Sequence, residues 1–192
     1  MQFSDLDLDK TYSYADYLKW EFDERLELIK GKIFKMTPAP NRSHQEVSIN
    51  LTNKLFNFLN NNKCKVYTAP FDVRLPKKSI SDKEVYNVLQ PDICVICDLT
   101  KLDDRGCIGA PDIVVEILSP GNSKKEMSNK YEVYQESGVK EYWIISPIEK
   151  TLVNYILHPD GLFYATRPFI EDDFFTTAIL PGFEIKMAEI FI

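Results

Sequence analysis

No stretch of this chain approaches the roughly 18–20 consecutive apolar residues that a membrane-spanning helix requires. The opening residues, "MQFSDLDLDK", are acidic and lack the basic-then-apolar order of a secretory signal, so a cytoplasmic protein without a membrane anchor is expected. A basic excess is missing too: 23 Lys and Arg stand against 29 Asp and Glu, for a net charge of −6. A protein that merely coats DNA or RNA carries a broad basic footprint, and this one does not. An enzyme that gathers carboxylates in one site and neutralises them with metal is compatible with the same balance. There is no internal repeat and no low-complexity linker. With 192 residues, 44% of them hydrophobic, the chain is sized for one domain spanning 1–192.

Cysteine is scarce, at four residues. Cys94 and Cys97 make a Cys-x-x-Cys, but inside "PDICVICD", which reads as a strand. Side chains alternate along a strand, so positions three apart face opposite ways and do not readily share a zinc ion. Cys64 and Cys107 stand alone. Four reduced, structural cysteines are the expectation.

What is present is patterned. "TYSYADYLKWE" (11–21) predicts a short helix capped by Thr11 or Ser13. "ERLELIKGKIFKMT" (24–37) predicts a hairpin turning at Lys30-Gly31. "SHQEVSINLTNKLFNFLNN" (43–61) predicts a helix with a Ser43/Glu46 capping box and an apolar stripe of Val47, Leu51, Leu55 and Phe58. Strands follow at about 65–75, 92–97 and 112–118. A second capping box, Ser123-x-x-Glu126, opens a helix that stops at Gly138. "EYWIIS" (141–146) reads as a buried strand, and 151–169 as a hairpin turning at His158-Pro-Asp-Gly161. The tail reads as a closing strand and a helical turn. The order predicts a mixed sheet flanked by helices, α/β or α+β, with an N-terminal and a C-terminal hairpin.

Within "GAPDIVVEILSPGNSKKEMSNKYEVY" (109–134), Glu116 stands alone among Ile113, Val114, Val115, Ile117 and Leu118. An unpaired buried carboxylate costs several kcal/mol, so this one needs a cation on the protein or a metal ion. Asp112 shares its strand face but lies roughly 13 Å away, too far for a common metal ion, and serves better at the strand's opening. "QPDICVI" supplies Asp92 at the head of a neighbouring strand, where two carboxylates can converge on one cation. Lys130, bordering the apolar face (Met127, Tyr131, Tyr134) of the following helix, can reach inward to the same place. Alternatively it pairs with Glu126, Glu132 or Glu136 on its own helix. Glu27, opposite Leu26 and Leu28, and His44, in the first helical turn, either extend the metal site or handle protons; otherwise Glu27 faces solvent and His44 makes an ordinary hydrogen bond at the helix start. His158 is a turn residue with no assigned role.

The runs "PDI" (91–93), "APDIVVEILSP" (110–120), "NKYEVYQESGVKEYWIISP" (129–147) and "LPGF" (180–183) together resemble the Uma-two family. These are restriction-endonuclease-like domains of the PD-(D/E)XK nuclease superfamily. "ERLELIKGKIFKMTPAPNRSH" (24–44) is similar to that family's opening, and the likeness runs from about residue 11 to the end. The resemblance implies a restriction-endonuclease-like core and Mg²⁺- or Mn²⁺-dependent phosphodiester hydrolysis, with DNA as substrate. It makes Asp92 and Glu116 the metal-binding acids and Lys130 the lysine that these proteins carry on the helix. Leu118 stands where the superfamily pattern has lysine, and Glu27 and His44 resemble further family positions. Lys77-Lys78, Lys124-Lys125 and Arg42 could touch phosphates, or are solvated loop charges. A nuclease-fold interaction or regulatory module is the competing reading, and a purely structural Glu116–Lys130 ion pair a third. Related nucleases pair to cut both strands, so a homodimer is possible, with "DDFFTTAIL" and "EIFI" as its surface unless they complete the core.

Overall fold

Residues 113–117 are buried along their whole length because both faces of the strand are covered. A computed structural model describes residues 3–21, 24–36, 41–120 and 124–191. The helices are α1 (Tyr14–Tyr17), α2 (Arg42–Leu59) and α3 (Lys124–Ser137). The strands, in chain order, are β1 (Leu26–Ile29), β2 (Lys32–Lys35), β3 (Lys65–Thr68), β4 (Val73–Arg74), β5 (Val88–Leu89), β6 (Ile93–Ile96) and β7 (Leu102–Asp103). They continue as β8 (Gly106–Ile108), β9 (Ile113–Ile117), β10 (Glu141–Ser146), β11 (Thr151–Leu157), β12 (Phe163–Ala165), β13 (Phe174–Thr176) and β14 (Glu184–Lys186).

One six-stranded sheet runs β2-β1-β5-β4-β8-β7, a second runs β12-β11-β10-β9-β6-β3, and β13 pairs with β14. Both large sheets are mixed, with β4/β8 and β9/β10 parallel. The expected mixed sheet is therefore divided in two, with the N-terminal hairpin in the first sheet and the C-terminal hairpin in the second. Parallel neighbours need a crossover, and α3 supplies it between β9 and β10. Along β9, Ile113, Val115 and Ile117 face the core shared with Val47, Leu51 and Leu55 of α2. Val114 faces the core holding Val133 and Tyr134 of α3. Glu116 shares the face of Val114 by alternation. The continuous apolar run is the signature of a strand covered on both sides.

Several local expectations hold. Lys30 (φ 53°) and Gly31 (φ 75°) are both left-handed, the backbone that a tight two-residue hairpin requires. A Cβ on Gly31 would also stand 3.2 Å from the Tyr12 carbonyl oxygen. Ser13 opens α1, whose four residues fall short of the expected 11–21. Gly138 (φ 84°) ends α3.

Others are corrected. Asn41, not Ser43 with Glu46, caps α2: its Oδ1 accepts from the His44 amide at 3.0 Å. Ser43 Oγ donates to that same oxygen at 2.9 Å, and Glu46 lies 3.5 Å from Arg42. The Ser123/Glu126 box lies outside the described residues. The strand expected over 65–75 is two, β3 and β4, in different sheets. Cys64 and Cys97 form a disulfide instead of remaining reduced, while Cys94 and Cys107 are free and buried. The cause is register: Lys65 pairs with Ile96 across β3 and β6, so the next residues out are cross-strand neighbours. In the C-terminal third, Phe175, Ile190 and Phe191 are buried while Phe174 is exposed, so the described residues of those segments mainly complete the core. No helix among the described residues is long and apolar enough to cross a membrane.

Candidate functional site

Five side chains singled out in the sequence come from five places: Glu27 on β1, His44 in the first turn of α2, Asp92 just before β6, Glu116 on β9 and Lys130 on α3. The crossover geometry lays α3 over β9, which brings Lys130 onto Glu116. Its Nζ lies 3.0 and 3.1 Å from the two carboxylate oxygens, and 3.0 Å from Glu27 Oε1. One turn along α3, the Tyr134 hydroxyl donates to Glu116 Oε1 at 2.9 Å. Glu27 Oε1 also accepts from the Gln90 amide at 2.9 Å.

Asp92 completes the group from the other side. Ile93 pairs with Val115, and one further step of that antiparallel register sets Asp92 opposite Glu116. Its Oδ2 accepts from the Ile117 amide at 2.7 Å and lies 3.2 Å from His44 Nε2. Asp92 keeps 22% side-chain exposure and, with His44 and Arg25, lines a cavity of about 310 Å³. Glu116 and Lys130 are buried behind it.

Two positions, Glu27 and Lys130, differ from the simpler readings. Glu27 is buried rather than solvent-facing, because β1 is covered on both faces. Lys130 lies within the buried face of α3 rather than beside it, together with Val133 and Tyr134, while Met127 and Tyr131 are half-buried. Glu132 and Glu136 are not its partners; they face Lys30 at 2.7 and 3.7 Å, and Lys77 lies 2.6 Å from Glu136. Asp112 is structural as expected, accepting from the Cys97 amide at 2.7 Å and from Lys140 Nζ at 2.6 Å. The side chains of Lys124 and Lys125 lie outside the described residues. Gln90 and Arg25 were not anticipated; the only signal was Gln90 standing directly before Pro91-Asp92.

Charge is unbalanced here. Burial pushes the Glu116 carboxyl up to about 8, Asp92 and Glu27 push the same way, and Lys130 opposes them. For Lys130, burial favours the neutral amine, but Glu116 and Glu27 outweigh it and hold the ammonium charged. One buried ammonium thus faces two carboxylates, with the Asp92 charge beside Glu116, and a proton on Glu116 meets part of the surplus. A cation can meet it equally well. Carboxylate oxygens suit hard divalent ions, and Mg²⁺ is commonly held by one or two carboxylates, waters and substrate phosphate. Among the described residues, no group of three or more His, Cys, Asp and Glu side chains is placed to hold a metal ion.

Two mixed sheets with a crossover helix define a restriction-endonuclease-like α+β fold. A crystal structure of "a putative nuclease belonging to DUF820" from Anabaena variabilis ATCC 29413 is similar with a TM-score of 0.72, at 19% identity over 93% of this chain and 97% of that one. The model of the Uma2 family, described as "Putative restriction endonuclease", matches residues 14–188. The chain belongs to the Uma2 family. It is also 24% identical over 152 residues to the uncharacterized protein slr1290 of Synechocystis sp., covering 78% of this chain and 76% of that protein.

Proposed function

We propose that this chain is a Mg²⁺- or Mn²⁺-dependent nuclease that hydrolyses phosphodiester bonds of DNA. One observation carries the reading: Asp92 and Glu116 adjoin across neighbouring strands with more negative charge than Lys130 can neutralise. Asp92 and Glu116 are the metal-binding residues. When bound, the ion would polarise a phosphoryl oxygen and acidify a water molecule.

The chain's own groups prepare that chemistry. The Ile117 amide and His44 fix the Asp92 carboxylate at the cavity wall, an orienting role like that of outer partners in metal sites. His44 Nε2 faces Asp92, so the imidazole positions that carboxylate rather than serving the leaving group. Glu27 positions Lys130. The ammonium, fixed between two carboxylates, offsets negative charge developing on the phosphoryl group or holds a hydroxide against it. This arrangement supports Lys130 as the substitute for the strand position that Leu118 fills.

Cleavage of plasmid and single-stranded DNA in Mn²⁺ by wild type, Glu116→Ala and Lys130→Ala tests the reading. Wild type is expected to cleave, Glu116→Ala to be inactive, and Lys130→Ala to lose about 10²–10³-fold. Equal cleavage by all three overturns it. One observation favours a second reading, a non-catalytic module: both Glu116 oxygens already engage Lys130. Under that reading neither Mg²⁺ nor Mn²⁺ shifts the melting curve of wild type or of Asp92→Ala.

A further inference from the structure

A second cavity, of about 270 Å³, adjoins the candidate centre and is lined by Tyr17, Trp20, Glu24, Arg25, Pro70 and Gln90 among others. Arg25 lines both cavities, and the turn through Thr68, Ala69 and Pro70 is divided between them. The two hollows thus share a wall with a cation on it.

That wall is built from within. Arg25 is exposed, yet its Nε and Nη2 both donate to Gln90 Oε1, at 3.2 and 2.7 Å, which fixes the plane of the guanidinium. Gln90 is buried, and its Nε2 donates to Asp72 Oδ1 at 2.9 Å and to the Tyr17 hydroxyl at 3.2 Å. One amide therefore orients both a cation and an aromatic ring. The half-buried rings of Tyr17 and Trp20 lie 5.6 Å apart, backed by Tyr14 at 5.6 Å from Tyr17 and Tyr12 at 5.3 Å from Trp20. Glu24, the carboxylate of this cavity, lies 3.4 Å from Lys35. Gln90 also ties the wall to the centre, since its backbone amide is the donor to Glu27.

Aromatic rings beside an oriented guanidinium suit one ligand chemistry, a planar base joined to a phosphate. We propose that this cavity is a subsite for an unpaired nucleotide, its base against Trp20 and Tyr17 and its phosphate on Arg25. The assignment rests on the nuclease reading for the identity of the neighbouring centre. Bases within a duplex are already stacked on each other, so only an unpaired or extruded base has a face to offer. The substrate class is then single-stranded DNA or duplex with a frayed or single-stranded end.

Binding without catalysis tests this. Full-length protein in EDTA is titrated with a labelled single-stranded oligonucleotide, its abasic counterpart and a blunt duplex, read by anisotropy and by tryptophan fluorescence. The chain has two tryptophans, and Trp143 is fully buried, so quenching reports Trp20. The single strand is expected to quench and to bind about tenfold more tightly than the abasic strand. Trp20→Leu should abolish that difference, Trp20→Phe should restore most of it, and Arg25→Met should weaken both strands. Equal affinity for ordinary and abasic strands, or equal quenching by blunt duplex, overturns the subsite. Base-dependent binding without Mn²⁺-dependent cleavage supports the subsite and counts against the nuclease reading. Cleavage without base-dependent binding does the reverse.

Discussion

Glu116 titrates in the wrong place for a glutamate, and this gives stability a direction in pH. Its carboxyl is raised from 4.5 to about 8 in the fold, chiefly by burial. Between those values the native state holds a proton that the unfolded chain has released, so stability falls as pH rises through that window. In metal-free buffer the melting temperature should decline from about pH 5 to about pH 8, and Glu116→Gln, which cannot ionise, should flatten that decline. Lys130 answers to a different balance. Removing it strands Glu27 and Glu116 against each other, so Lys130→Met should lose about 3–5 kcal/mol in chemical denaturation, and Glu27→Gln should recover part of that loss. Glu116 was legible because a charge inside a β-branched run demands a partner. Glu27 was not, because alternation shows only that it opposes Leu26 and Leu28, not that β1 is covered on both faces.

Among the elements, α2 and β6 are linked at both ends. At one end His44 faces Asp92; at the other, Cys97 directly follows β6 and reaches Cys64 beyond α2. Closing a loop of sequence separation 33 should contribute roughly 3–4 kcal/mol. Alkylation of denatured, unreduced protein should label two thiols, Cys94 and Cys107, and reductant should lower the melting temperature. At the near end, Asn41→Ala should cost about 1 kcal/mol by denaturant titration. The long elements were readable from period and punctuation: β1–β2 from Lys30-Gly31, α2 from its apolar stripe, β10 from its unbroken run. The α2 cap misled because Ser43 and Glu46 satisfy the motif while Asn41 reaches the same amide. Strands of two residues, such as β4, β5 and β7, are too short to show any period. The disulfide depends on a register between strands, and no local spacing reports that.

On the scale of the molecule, the centre lies where the two large sheets meet. Glu27 belongs to the first, Glu116 to the second, and Lys130 bridges them. If a divalent ion takes the place of the proton, its effect must grow as the proton leaves. Mn²⁺ should therefore raise the melting temperature more at about pH 8 than at about pH 5, and in Asp92→Ala at neither. The fold class was legible because the family-like runs fall on β9, α3 and β10, the crossover unit itself. Division into two sheets was not, since it depends on which strand edges meet.

The bridging ammonium is also the last charged member of its cluster to be synthesised. Glu27, Asp92 and Glu116 all leave the ribosome before Lys130, so the carboxylates have no ammonium to face until the crossover helix emerges.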